Sequence, residues 1–132
     1  MASFFSGPNV LPNIATGIAV IPTLFGINAM VNPRSMLTIS NIPHPKTPEA
    51  QKLTDNLIRL FGSRDFITGA LVFSIRAYGS RELLGQAMLL TALLPVADGF
   101  FGLSQTGGGL MMHWPIVPVI VGVGCALLGW IG

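Results

Sequence analysis

Four stretches of the chain are apolar over lengths close to the ~20 residues of helix that cross a hydrocarbon core. The pattern predicts helices over about 10–31, 48–77, 80–103 and 110–131, with a polar, proline-rich loop over 32–47. Within the first, Gly17, Ala19 and Gly26 are small enough to let helices approach closely. It stops where Pro33 pushes Asn32 out of helical conformation. The loop holds Pro43 and Pro45 and ends on a helix-start signal: Thr47 as cap, Pro48 at the first helical position and Glu49 in the first turn. From there a helix can continue to Tyr78, about 45 Å, so its first part lies outside the core or at the interface.

Ser80 is a natural cap for the third helix, with Glu82 in its first turn, and Pro95 predicts a kink one turn before Asp98. "SQTGGG" then turns the chain, and the fourth helix opens on "MMHWPIVP", with Trp114 and Trp130 as interfacial anchors near its ends. Short connections make the second and third helices, and the third and fourth, antiparallel neighbours. The expected fold class is therefore all-α: a single membrane domain, an integral membrane up-down four-helix bundle.

Composition agrees. The 132 residues are 51% hydrophobic and 9% charged, where ordinary soluble domains are about 25% charged. The net charge of +2 comes from Lys and Arg scattered singly between apolar runs, which makes no phosphate-tracking patch, so nucleic acid is not an expected partner. Cys125 has no second cysteine and reads as packing. The first apolar stretch has no basic n-region and runs too long for a signal peptide, so it reads as a retained helix. Arg34 and Lys46 in the first loop, with Lys52 just after it, lean towards a cytoplasmic loop with both termini across the membrane, leaving the organelle open.

Two matching motifs separate under this topology. "GSRDFITGAL" begins at Gly62 and "GSRELLGQAM" at Gly79. The second follows a turn, where Ser80 caps, Arg81 snorkels and Glu82 suits the first turn. The first sits well inside a helix that began near Pro48, so Ser63 caps nothing. It puts Arg64 and Asp65 about 10–15 Å into the apolar stretch. An intramembrane charge costs at least about 2.5–3.5 kcal/mol, and such groups usually face a bundle interior or wet cavity with a partner.

Depth suggests the partners. The third helix meets Asp98 late, the fourth carries His113 early and the first ends with Asn28, all on the first-loop side. Arg64, Asp65, Asp98, His113 and Asn28 are thus expected to form one polar layer. Two readings stay open. In one, the layer is a clamp in which Arg64 pairs with Asp98 and fixes helix order without chemistry. In the other it is a site: Arg64 stabilises negative charge, Asp65 or Asp98 acts as base, His113 as acid, and Asn28 touches the substrate. Two histidines, one in a loop, give no metal site, and "TGGGL" lacks the context of a phosphate loop. No cofactor is expected.

The Arg64-Asp65 pair after Gly62, Gly69 one turn later, "GSRELLG" opening the next helix and Asp98 near its end resemble the small membrane proteins of domain-of-unknown-function family 4267. That family is similar to the DoxX-like group, which implies a four-helix membrane fold and no particular reaction. It occurs in bacteria and fungi, and fungal relatives resemble proteins found among secondary-metabolite genes, which implies a lipophilic polyketide or terpenoid substrate and an endomembrane. The expected function is a membrane site for a lipophilic small molecule, of the kind that serves an acid/base isomerase, cyclase or cofactor-free oxygenase. The alternative is a non-enzymatic structural or accessory subunit, pairing with other chains or with its own copies through Gly-rich faces.

Overall fold

A computed structural model describes residues 7–107 and 113–131. They are all-α, with no strand among the described residues. Helix α1 spans Val10–Val31, α2 Pro33–Ile39, α3 Pro48–Tyr78, α4 Arg81–Thr91 and α5 Leu93–Thr106; a 3-10 turn at Trp114–Ile116 leads into α6, Val117–Leu127.

Three of these differ from the sequence expectation. The supposed loop over 32–47 begins with a helix, because the proline that ends α1 is also well suited to start one. Asn32 leaves the helical region at φ −132°, ψ 72°, and Pro33, at the first helical position, has no N–H to leave unpaired. Leu37 is buried and fixes α2 in place, and Asn41 closes it in the left-handed region at φ 53°. The Ile42 N–H then donates to the Leu37 carbonyl and the Asn41 N–H to that of Thr38, a Schellman closure.

The expected third helix is two. Pro95 cannot donate to the Thr91 carbonyl, and the α-helical run breaks at Ala92, between α4 and α5. α5 runs on through Ser104 into Thr106, so the first half of "SQTGGG" is helix, and Gly107 at φ 74° ends it. Positions 108 and 109 of that turn, and the first residues of the expected fourth helix, 110–112, lie outside the described residues. The rest of that helix starts as a 3-10 turn, with Pro115 and Pro118 each removing an N–H donor. It closes on Gly129, φ 73°, in a second Schellman motif through the Trp130 and Gly129 N–H groups.

Residues 19–71 form one compact unit, and 1–18 with 72–132 form the other. In the first, α1 and α3 run antiparallel along a seam of small residues. A Cβ on Gly26 would stand 2.6 Å from the Gly62 carbonyl oxygen, one on Gly62 would stand 2.6 Å from the Ala29 Cβ, and one on Gly69 would collide with Thr23. In the second, α4 and α6 cross where Gly85 faces Gly124: a Cβ on Gly85 would lie 3.0 Å from the Gly124 carbonyl. Arg76 near the end of α3 donates to the Asn9 and Asn13 side-chain oxygens at 3.4 and 3.3 Å, and Arg81 donates to the Ala126 carbonyl at 3.2 Å.

Alanine is the commonest buried hydrophobic side chain: Ala15, Ala19, Ala29, Ala87 and Ala92 join Leu37, Val72, Leu84, Met88, Ile120, Val123 and Leu127. Larger apolar side chains point outwards, among them Leu24, Ile67, Leu93 and Phe101 at 60–68% exposure. Among the described residues, two helices are long and apolar enough to cross a membrane: Val10–Val31, and Arg81–Ser104 taken through the break at Ala92. Of the four spans expected, α3 fails this test, because every 18-residue window of it contains at least three charged residues. The Trp114–Leu127 segment is apolar but shorter.

Ser80 caps α4, its hydroxyl accepting from the Leu83 N–H at 3.1 Å. Ser80→Ala is expected to cost about 1 kcal/mol, read as a lower thermal midpoint of the purified protein.

Candidate functional site

The expected site residues fall in both units. Arg64 and Asp65 lie midway along α3 in the 19–71 unit, where Arg64 Nε and Nη2 both donate to Asp65 Oδ1, at 3.1 and 2.9 Å. Neighbours on a helix point about 100° apart, so this pair forms only because the long guanidinium folds back along the helix surface. It also lies 5.5 Å over the Phe61 ring, where the face of the π-system attracts a cation. The two side chains are 34% and 28% exposed. Gly62 lets α1 come close on one side of them, while Phe61, Phe66 and Ile67 stand exposed around them. The result is a paired charge at the surface of an otherwise apolar stretch of helix.

Asn28 shares this unit. Its side-chain N–H donates to the Ser35 hydroxyl at 2.7 Å and approaches the Met36 sulfur at 3.3 Å. Its amide therefore folds α2 back against the end of α1. This helix-joining role is not legible in the sequence; the only hint is the seven-residue spacing from Asn28 to Ser35.

Asp98 and His113 lie in the other unit. Asp98 is half-buried on α5, and half-buried His113 precedes the 3-10 turn without a side-chain cap bond. A local packing feature draws them to one neighbourhood. Gly99 leaves room for the Trp114 indole, which lies against it, meets the Phe100 ring edge-on with centroids 5.2 Å apart, and donates to the Val96 carbonyl at 3.4 Å. Asp98 and His113 each lie one residue along the chain from this Gly99–Trp114 contact. Trp114, expected as an interfacial anchor, thus also holds the turn onto α5.

A polar pocket that the sequence pattern does not announce lies at the other end of the 19–71 unit. Arg34, Leu37, His44, Pro45, Gln51 and Asp55 line a small recess of about 40 Å³, open to solvent, between α2, the following loop and the start of α3. No group of three or more His, Cys, Asp or Glu side chains is placed to hold a metal among the described residues. Cys125 is half-buried and free.

The family described as "Domain of unknown function (DUF4267)" matches residues 19–127. The chain belongs to this family. The match takes in Arg64, Asp65, Asp98, His113 and Asn28, and also the pocket around Asp55. Neither a curated protein nor a solved structure matches the chain.

Proposed function

We propose that this is a multi-pass integral membrane protein, a four-helix bundle that binds the polar group of a lipophilic small molecule at Arg64 and Asp65. The membrane part rests on the distribution of side chains: alanine and glycine are frequent among the buried positions, while many Leu, Ile and Phe side chains are exposed. The two helices long enough to span are only 22% and 17% buried. In water that surface is unfavourable, whereas lipid matches it and leaves close backbone packing to hold the helices together.

The observation that carries the binding reading is the Arg64–Asp65 pair, about a third exposed among exposed apolar side chains. A lipophilic molecule with a carbonyl or acidic group can lay its apolar body on Phe61, Phe66 and Ile67 and turn its polar end to the guanidinium. Asp65 is the base of a proton transfer if the molecule is also converted. A route through isomerisation or cyclisation needs no cofactor, and secondary metabolism is the setting that the family's fungal members suggest.

The test compares Arg64→Lys, Asp65→Asn and Asp98→Asn with the parent protein in detergent, reading folded yield beside binding of a panel of lipophilic carbonyl compounds and their conversion. Folded variants of Arg64 and Asp65 are expected to bind about tenfold more weakly. Asp98→Asn, in the other unit, is expected to keep binding. If all three fold and bind as the parent does, the site is elsewhere; if the protein is released from membranes by alkaline carbonate, it is not integral.

A further inference from the structure

The pocket between α2 and α3 has a composition that selects its ligand. Its charged walls are Arg34 and Asp55, whose closest atoms, Nε and Oδ2, are 3.5 Å apart. This is a loose, single-contact pair: the Arg34 side chain is 61% exposed and the Asp55 side chain 19%. Around it, His44 Nε2 lies 3.2 Å from the Thr38 hydroxyl, and Gln51 donates to the Pro45 carbonyl at 3.0 Å, which fixes the loop over the start of α3. Leu37 is the floor, 3% exposed.

One positive and one negative wall give a site of no net charge. A simple anion meets Asp55, and a simple cation meets Arg34. The complementary ligand carries both charges, so that a loose protein pair is exchanged for two charge-assisted contacts. Its cation is a primary ammonium, since a carboxylate rewards N–H donors and the lining has no aromatic ring of Phe, Tyr or Trp to cage a quaternary one. The recess is small, about 40 Å³, and open to solvent, so it takes the charged end of a headgroup from its open side and not a whole lipid.

Position supplies the anion. Arg34 stands three residues beyond the end of α1, and Asp55 is nine residues before Arg64 on α3, about 14 Å along the helix. If α1 spans a bilayer, as proposed above, the pocket opens at headgroup level, where the available zwitterion with a primary ammonium is phosphoethanolamine. We infer that this pocket binds a phosphoethanolamine group, its phosphate on Arg34 and its ammonium on Asp55.

The experiment uses the full chain in nanodiscs of phosphatidylcholine doped with either phosphatidylethanolamine or phosphatidylglycerol, and native mass spectrometry of the lipid retained on the protein. Phosphatidylethanolamine is expected to be retained over both others. Arg34→Gln, at an exposed side chain, and Asp55→Asn are each expected to reduce that preference about tenfold, with helicity by circular dichroism unchanged. Lys46→Gln, outside the pocket, keeps it. Equal retention of the three lipids by the parent together with no binding of free phosphoethanolamine, or an undiminished preference in folded Arg34→Gln, overturns the inference. A parallel titration with free phosphoethanolamine separates the sources: competition by the free compound without lipid preference assigns the pocket to a soluble phosphoamine. That arm stands even if carbonate extraction shows that the protein is not integral, so the two readings fail separately.

Discussion

Gly26→Val is expected to abolish the folded state or to destabilise it by about 3 kcal/mol. The reason is what a Cβ would meet. From Gly26 it would stand 2.6 Å from both the Gly62 carbonyl oxygen and the Phe66 nitrogen. These are backbone atoms of a continuous helix, so no rotamer change makes room, and α1 and α3 have to separate along the seam that Gly62 and Gly69 share. Where lipid faces both helices, little apolar driving force closes the gap, and separation removes the close backbone packing that holds the pair. Gly17→Ala and Gly122→Ala are the controls. A Cβ at either meets nothing within 4 Å, so both variants should equal or slightly exceed the parent by virtue of helix propensity. Thermal unfolding in detergent, followed by circular dichroism and by protease resistance, reads all three. A Gly26→Val protein that melts with the parent would mean that α1 and α3 do not meet at this seam in the native protein.

The same seam shows what can be read from sequence. Gly26 is recognisable as a position of close approach, but that it faces Gly62, and Gly69 faces Thr23, is not, because the spacing of small residues along one helix does not say which neighbour lies across it. Local signals are legible wherever one residue decides the backbone: Pro33 after Val31, Thr47 before Pro48, Ser80 before Arg81. Pro33 reads as a stop more readily than as a start, since its restriction acts on Asn32 behind it while its own φ suits the helix ahead. At the site, adjacency in the chain announces Arg64 and Asp65. The packing that sets Asp98 and His113 near the Gly99–Trp114 contact depends on a glycine and an indole with no distinctive spacing. The Arg34–Asp55 pocket is hidden for a related reason: it is built from α2, a helix of seven residues inside a stretch whose prolines and polar residues spell loop.

Arg64→Gln and Asp65→Asn should each destabilise the protein by about 2 kcal/mol, while the double variant recovers about half of the summed loss. Breaking a buried pair by removing one member typically costs about 3–5 kcal/mol, and the smaller figure follows from side chains that are 34% and 28% exposed, with screening in proportion. Recovery in the double variant follows because each single substitution leaves one charge in an apolar stretch without its neighbour, and the pair of neutral amides leaves none. A chemical-denaturation series on the four proteins in one detergent measures the coupling. The cycle also separates the two roles open to these residues. If they act only as a structural clamp, stability and every other property should recover together in the double variant. If they form a site, the double variant should fold and still fail to bind the lipophilic ligand, because two amides keep the volume and the hydrogen-bonding reach but not the cation. Single variants as stable as the parent would mean that Arg64 and Asp65 sit in water, and the membrane depth on which the site depends would go with them.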